Sequence, residues 1–261
     1  MKALSTAATG MMAQQRNVEV ISNNIANMNT TGFKRSRAEF QDLLYQNISR
    51  VGANSSDAGT IVPSGVQIGV GVRTAGVYRI TDQGATQITG NDYDLAIDGK
   101  GLFQITMPDG STAYTRAGSF QLDPTGQLVN TSGYPVEPAI SIPSEAIDVT
   151  ISSQGEVQVT LAGQPAPSTV GQLTIATFPN EAGLESIGGS LMLESAASGA
   201  PNVGTPAATG FGMIMQGSLE NSNVNAVSEI TNLITAQRGY ELNSKVIKTA
   251  DEMLSAANRM R

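Results

Sequence analysis

Residues 1–32 read MKALSTAATGMMAQQRNVEVISNNIANMNTTG. Apolar residues recur in this stretch at spacings of three, four and seven, which is typical of one face of an α-helix. They are Leu4, Ala8, Met11, Val18, Ile21 and Ile25. The stretch contains no proline, and the polar run from Asn27 to Gly32 is a suitable C-terminal stop. The pattern predicts an amphipathic helix of about 25 residues, roughly 40 Å long.

A second amphipathic helix is predicted after residue 222, with Ser222 or Asn223 as its N-cap. Its apolar stripe contains Ile230, Ile234, Ile247, Ala250, Leu254 and Ala257. An amphipathic helix must bury its apolar stripe against another surface. The simplest partner is the other terminal helix, which gives a coiled coil that gains more by packing against further copies of the chain.

Between the two helices the sequence favours β-structure, because short alternating runs are separated by turn signals such as Pro108-Asp109-Gly110. The predicted strands are Val70–Tyr78, Leu95–Thr106, Ser119–Leu122, Gln127–Val129, Val149–Ile151, Glu156–Leu161 and Gln172–Phe178. Residues 46–65 and 195–212 are expected to be extended connectors. The predicted fold class is α+β, with long terminal helices in a coiled-coil arm and a mainly antiparallel β body.

Three parts of the chain are expected to form domains. Residues 1–45 join 217–261 in the helical coiled-coil domain, and residues 46–92 join 190–216 in an extended connecting domain. Residues 93–189 form a β-rich outer domain.

The composition is that of a globular protein with an unusual charge distribution. Of 261 residues, 40% are hydrophobic and only 14% are charged, and the net charge is −7. Residues 51–215 contain fourteen acidic and four basic residues, whereas residues 1–50 contain six basic and three acidic ones. No apolar run approaches the roughly 18 residues of a membrane-spanning helix, and the first 25 residues do not resemble a secretory signal, so no membrane insertion is expected.

Enzymatic chemistry has little support in this composition. The chain has no His and no Cys, which excludes imidazole bases, thiol nucleophiles and Cys/His zinc sites. No Ser stands three residues before a Lys, so the Ser-x-x-Lys motif is missing as well. We therefore expect no catalytic residue, no cofactor and no metal.

Two acidic or glycine-rich clusters are interpreted as structural. Asp92, Asp94 and Asp98 do not have the spacing of a calcium-binding loop, and they are interpreted as turn and strand-end carboxylates. Gly69, Gly71 and Gly76 do not match the dinucleotide-binding pattern and are interpreted as strand glycines.

The only basic run contains Lys34, Arg35 and Arg37. Nucleic-acid binding would require a wider basic face and more aromatic residues, so no nucleic acid is expected. The basic run is predicted either to contact an acidic face of a neighbouring subunit or to be a solvated patch.

Several long motifs resemble those of the bacterial flagellar axial proteins of the rod and hook. At the N-terminal side they are ISNNIANMNTTGFKRSRAEFQDLL (Ile21–Leu44), and at the C-terminal side SNVN (Ser222–Asn225), QRGYELNSK (Gln237–Lys245) and TADEM (Thr249–Met253). DLAIDGKGLFQI (Asp94–Ile105) and YTRAGSFQLDPTGQLVNTSGYPV (Tyr114–Val136) also resemble this family. The resemblance covers essentially the whole chain.

This resemblance implies a structural subunit of a hollow helical shaft that transmits motor torque and carries exported subunits through its channel. The length favours the distal rod, with a position in the proximal rod as the alternative. The implied partners are further copies of the chain, the proximal rod proteins, the hook protein, the periplasmic and outer-membrane bushing rings and the flagellar type III export apparatus. The implied location is the rod of the basal body in the periplasm, reached without a cleaved signal peptide.

The residues expected to mediate self-assembly are those of the two helix stripes, three asparagines and the basic run. They are Leu4, Ala8, Met11, Val18, Ile21, Ile25, Ile230, Ile234, Ile247 and Leu254, then Asn23, Asn24 and Asn27, then Lys34, Arg35 and Arg37. The asparagines are interpreted either as caps of the helix end or as bridges between subunits. An alternative from a different class remains open, namely a secreted β-rich binding module whose helices only dimerise.

Overall fold

The computed structural model describes residues 2–49, 65–163 and 166–259. Residues 50–64, which include most of the predicted connector at 46–65, lie outside the described residues. The chain divides into two compact units. The helical unit contains Met1–Ile25, Ser36–Tyr78 and Ala226–Arg261, and the β unit contains Ala26–Arg35 and Arg79–Asn225.

The described residues form two long helices, α1 (Lys2–Ala26) and α2 (Ala226–Arg259), separated by short strands. The first ten strands are β1 (Ser36–Asp42), β2 (Tyr45–Ser49), β3 (Val66–Gly69), β4 (Val72–Arg79), β5 (Thr86–Ile88), β6 (Leu95–Asp98), β7 (Leu102–Thr106), β8 (Thr112–Thr115), β9 (Gln121–Leu122) and β10 (Leu128–Val129). The others are β11 (Val136–Glu137), β12 (Ala146–Ile151), β13 (Glu156–Leu161), β14 (Ser168–Gln172), β15 (Ile175–Thr177), β16 (Glu185–Gly188), β17 (Leu191–Leu193), β18 (Asn202–Gly204), β19 (Met213–Gln216) and β20 (Ser218–Glu220). Neither helix is long and apolar enough, over its described residues, to cross a membrane.

In the helical unit, α1 and α2 run antiparallel and approach closely where each has a glycine. A Cβ at Gly10 would lie 2.9 Å from the Asn243 amide nitrogen, and a Cβ at Gly239 would lie 3.3 Å from the Gln14 side chain. Small residues of both helices are buried in this unit, among them Ala7, Ala13, Ala236 and Ala250. At these two points a glycine of one helix accommodates an amide side chain of the other.

Short two-stranded sheets accompany the helices in this unit. Strand β1 pairs with β4, and β2 pairs antiparallel with β3. The backbone N–H of Val72 donates to the Thr9 hydroxyl of α1 at 3.3 Å. This bond ties the start of β4 to the first helix.

The β unit is built from antiparallel sheets, the largest of which has seven strands. Its order is β16-β17-β8-β7-β15-β18, and β11 also pairs with β7. A three-stranded sheet follows the order β12-β13-β14, and the pairs β6–β19, β5–β20 and β9–β10 complete the unit. The core lies among these sheets and is centred on fully buried residues such as Phe103 and Phe120, whose rings meet edge to face at 5.1 Å.

The predicted α+β class and the antiparallel body are confirmed. The predicted run Leu95–Thr106 is two strands, β6 and β7, because the chain turns through Gly99 and Gly101 with φ of +103° and +145°. The 195–212 connector contains strand β18. The three-part domain division stays a prediction. Strands β17 and β18 of the 190–216 segment lie in the seven-stranded sheet.

Gly118 allows two segments of the β unit to lie in direct contact. Its carbonyl accepts a 2.9 Å hydrogen bond from the Leu95 N–H, and a Cβ at this position would lie 1.6 Å from the Leu95 carbonyl oxygen. Backbone cannot yield as a flexible side chain can. Gly118→Ala is therefore expected to lower the free energy of unfolding by about 3 kcal/mol or more.

Denaturant unfolding monitored by circular dichroism measures this effect. Gly76→Ala is the matched control, because a Cβ there meets nothing within 4 Å and its φ is ordinary. Equal stability of the two variants would show that Leu95 and Gly118 are not held this close.

Candidate functional site

The carboxylate of Glu220 is buried at the end of β20, with 1% of its surface exposed. Its Oε1 accepts hydrogen bonds from Lys34 Nζ at 2.6 Å and from the Gly84 N–H at 2.8 Å. Its Oε2 accepts from Arg116 Nε. One buried carboxylate thus neutralises the buried Arg116 and the partly exposed Lys34, and we call these three residues the ion cluster.

Arg116 also donates hydrogen bonds to the turn between β6 and β7. Nη1 donates to the Gly101 carbonyl at 2.5 Å, and Nη2 donates to the carbonyls of Ile97 at 2.6 Å and Gly99 at 2.8 Å. The planar guanidinium suits this task because its donors diverge in a fixed fork. Arg116 therefore holds the β6–β7 turn in shape while it pairs with Glu220.

Lys34 brings the segment after α1 into the same cluster. Besides Glu220, its ammonium group donates to the Asp82 carbonyl at 2.7 Å. The backbone N–H of Gly32 also donates to the Glu220 carbonyl at 2.8 Å. The segment that follows α1 and the segment that precedes α2 are therefore hydrogen-bonded to each other.

The electrostatics of the cluster follow from burial and charge pairing. Burial alone would raise the pKa of Glu220, but Arg116, Lys34 and the Gly84 N–H together hold that pKa below its usual value. Burial lowers the pKa of Lys34, and the bond to Glu220 partly opposes this effect. Because each group depends on the others for its charge, removal of one leaves an unpaired buried charge.

Asn223 joins the same two segments through its side-chain amide. Its Oδ1 accepts from the Arg35 N–H at 2.8 Å, and its Nδ2 donates to the carbonyls of Ile80 and Asp82, each at 2.9 Å. Asn223 and its three partners all belong to the β unit. The predicted N-cap, Ser222 or Asn223, is wrong at both residues, because α2 begins at Ala226.

Asn24 plays a corresponding part in the helical unit. It is buried, and its amide exchanges two 2.8 Å hydrogen bonds with the backbone of Ser36 while donating to Glu229 of α2 at 3.2 Å. Because both polar atoms of this buried amide are hydrogen-bonded, Asn24 fixes one arrangement of α1, β1 and α2.

Of the three aspartates noted in the sequence, one is buried and accepts hydrogen bonds from nearby side chains. Asp94 is buried and accepts from the Thr89 hydroxyl at 2.6 Å and from the Asn91 amide at 3.1 Å. Asp92 and Asp98 are exposed. The structural interpretation of this cluster agrees with these bonds.

Comparison with known proteins gives one consistent family along the chain. A flagella basal body rod protein model matches residues 4–34, a flagellar hook protein FlgE/F/G D1 domain model matches residues 96–159, and a flagellar basal body rod FlgEFG protein C-terminal model matches residues 215–260. The chain is 62% identical to the flagellar basal-body rod protein FlgG of Caulobacter vibrioides over 100% of both chains. It is 53% identical to FlgG of Agrobacterium fabrum over 99% of both, and 43% identical to FlgG of Bacillus subtilis over 97% of both.

The chain belongs to the flagellar basal-body rod protein family. It is a structural subunit of the flagellar rod, and these relatives are named as rod proteins rather than enzymes.

Each of the three matched regions of this rod subunit supplies one member of the ion cluster. Lys34 lies in the first, Arg116 in the second and Glu220 in the third. The cluster therefore joins the parts of the chain that define the family.

The structure gives one member of the basic run a partner in its own chain. Lys34 pairs with Glu220, and the role of Lys34, Arg35 and Arg37 in assembly stays a prediction. Arg35 is half-buried, and only Arg37 of the three is exposed. The sequence analysis missed Glu220 and Arg116 as partners, although Glu220 stands at an inward position of the alternating strand Ser218–Glu220, where a charge calls for a buried counter-charge.

The helix stripes are only partly buried within one chain. In α1, Ile21 and Asn24 are buried; Leu4, Met11, Val18, Ile25 and Asn27 are half-buried; Ala8 and Asn23 are exposed. In α2, Ile247 is half-buried, whereas Ile230, Ile234 and Leu254 are exposed. The inward face of α2 shares Ile247 and Ala250 with the predicted stripe and also contains Leu233, Ala236 and Asn243, which the prediction left out. The role of the stripe residues in assembly stays a prediction.

Glu220→Gln removes the only charge that compensates Lys34 and Arg116 in the cluster. Because Arg116 stays buried without its counter-charge, the variant is expected to lose about 3–5 kcal/mol of stability at neutral pH. Chemical denaturation of the full chain measures the loss. Glu185→Gln, which changes an exposed acid of the same unit, is the control and is expected to change stability by less than about 0.5 kcal/mol. If both variants lost equally little stability, Glu220 would not be the residue that stabilises the ion cluster.

The depressed pKa of Glu220 also predicts how this loss depends on pH. A carboxyl group whose folded pKa lies below its unfolded value stabilises the fold above the unfolded pKa, and this stabilisation is lost as the pH falls through the folded pKa. The stability difference between the wild-type chain and Glu220→Gln is therefore expected to be largest above about pH 4.5 and to narrow as the pH falls further. Denaturant titrations of both proteins from pH 7 downwards test this, and a difference that is constant or widens towards acid pH would disagree with it.

Proposed function

We propose that this rod subunit polymerises helically into the distal part of a hollow drive shaft, which transmits torque to the hook and lets exported subunits pass through its channel. In this proposal α1 and α2 form the coiled-coil arm of the subunit, and copies of the arm pack around the channel. The proximal rod proteins, the hook protein and the bushing rings are its neighbours in the periplasm, and the flagellar type III apparatus exports it.

One observation carries this proposal, namely the apolar surface that α2 leaves exposed. Ile234 is 46% exposed and Leu242 is 61% exposed, although the same helix buries Ala236 and Ala250. Large apolar residues on the outer face of a helix support contacts with other molecules. Val227, Ile230, Val246, Met253 and Leu254 extend this exposed apolar face along α2.

The contact between the two helices leaves large apolar residues of α2 exposed. Gly10 and Gly239 accommodate Asn243 and Gln14 of the facing helix, whereas Ile230, Ile234 and Leu242 of α2 stay exposed. A head-to-tail contact between unlike surfaces does not saturate, and its repetition gives an open filament. These features support a subunit that is stable alone and gains further burial on polymerisation.

Substitution of one exposed isoleucine tests the proposal. Ile234→Asp places a charge on the exposed face without altering the buried face of α2, so the monomer is expected to keep its stability and lose polymerisation. Asn232→Asp adds the same charge at a polar exposed position and is expected to polymerise. Electron microscopy of purified protein at rising concentration, seeded with isolated hook–basal bodies, measures filament growth.

Closed dimers of the wild-type chain at every concentration, with or without seeds, would contradict helical polymerisation. Filaments of Ile234→Asp as abundant as those of the wild type would show that the polymer contacts lie elsewhere.

A further inference from the structure

Residues 217–225, the last part of the β unit before α2, lie between two other segments of that unit. On one side, β20 pairs antiparallel with β5, and the Asn221 N–H donates to the Ala85 carbonyl at 2.8 Å. On the other side, the Glu220 carbonyl accepts from the Gly32 N–H at 2.8 Å. We call residues 217–225 the clasp, because they join strand β5 to the segment that follows α1.

The clasp packs closely against the rest of the β unit. A Cβ at Gly84 would lie 1.9 Å from the Asn221 carbonyl oxygen, so the two backbones are in direct contact there. The Gly217 N–H donates to the Asp94 carbonyl at 2.8 Å, and Glu220 is 1% exposed. The clasp therefore fills a space whose walls are supplied by other segments of the β unit.

The bonds of the clasp join residues that are far apart in the chain. Glu220 is 186 residues from Lys34 and 104 residues from Arg116. By contrast, β12 and β13 pair within the short stretch from Ala146 to Leu161, and β13 pairs with the next strand, β14. The entropic cost of closing a loop rises with its length, which favours local pairing before distant pairing. The local strand pairs are therefore expected to form before the clasp binds.

The charges of the ion cluster favour the same order. Arg116 is buried in the folded unit, and Glu220 is its carboxylate partner. If the β unit closed before the clasp bound, Arg116 would be buried without a counter-charge, which is strongly unfavourable. Arg116 is therefore expected to stay hydrated until Glu220 arrives.

We propose that the clasp is the last part of the β unit to bind during folding and the first part to be released during unfolding. The local sheets form first, and Glu220 then neutralises Arg116 and closes the unit. The ribosome makes the clasp after the rest of the β unit, so the unit stays open during its own synthesis. This inference concerns a single chain and does not depend on polymerisation.

The folding and unfolding rates of the full chain test this order. The natural chain has no tryptophan, and Tyr134 packs against the β-unit core, so Tyr134→Trp supplies a single fluorescent reporter of this unit. In this background, Glu220→Gln is expected to unfold on the order of 100-fold faster, while its folding rate changes by less than about threefold. Stopped-flow fluorescence over a range of denaturant concentrations measures both rates.

Val159→Ala is the matched control, because Val159 is buried in the core and lies in the local β12–β13 pair. This variant is expected to fold several-fold more slowly, since its contacts form early. For each variant, the share of the stability loss that appears in the folding rate is compared. If that share is as large for Glu220→Gln as for Val159→Ala, or larger, the clasp binds early and the inference is wrong.

A disulfide across the clasp tests the same order without a destabilised variant. Gln87 and Leu219 lie directly opposite each other in the β5–β20 pair, and the natural chain has no cysteine. With Gln87→Cys and Leu219→Cys in the reporter background, oxidation is expected to slow unfolding about tenfold or more and to leave the folding rate unchanged. The reason is that a link between parts that join late restricts the unfolded and transition states equally. Faster folding of the oxidised form than of the reduced form, or an unchanged unfolding rate, would overturn the inference.

Discussion

The buried carboxylate of Glu220 is the constraint on which the rest of the β unit depends. It neutralises the buried Arg116 and the partly exposed Lys34, and Arg116 in turn holds the β6–β7 turn through three carbonyls. Since Lys34 precedes Glu220 by 186 residues, the cluster cannot form until both distant segments have folded together. The β unit therefore depends on contacts between its two chain segments, Ala26–Arg35 and Arg79–Asn225. A chain shortened to remove the segments around Lys34 and Glu220 would leave Arg116 buried without a counter-charge.

Periodicity in the sequence was sufficient to predict the two terminal helices and the antiparallel body between them. It could not reveal the ion cluster, because a pattern of apolar spacing carries no information about which distant charges meet. The run at Lys34 looked like a surface patch for this reason, although its partner was in the same chain. The usable signal was weaker: Glu220 stands at an inward position of the short strand β20, where a charged residue requires a buried partner. Arg116 follows the end of β8 and gives no such strand signal.

The helix stripes show a second limit of pattern analysis. In α2, apolar residues occupy two adjacent faces, one with Ile230 and Ile234 and the other with Leu233 and Ala236. Hydrophobicity favours the face with the larger residues for burial within the chain. The structure buries the face with Ala236 and leaves Ile230 and Ile234 about half exposed. At the contact, Gly10 and Gly239 accommodate the Asn243 and Gln14 side chains of the facing helix.

Different interactions serve the two roles of the chain, which are to keep a fixed shape and to bind further copies. Asn24, Asn223 and the ion cluster hold their segments by directional bonds whose partners are inside the same chain, so these segments have one geometry before any neighbour binds. The exposed apolar residues of α2 impose no such geometry, because hydrophobic contact is non-directional. A subunit built in this way brings a fixed shape to the polymer and gains affinity from surfaces that tolerate small adjustments. A shaft under torque needs the first property in order to stay stiff, and a growing filament needs the second in order to accept each new copy.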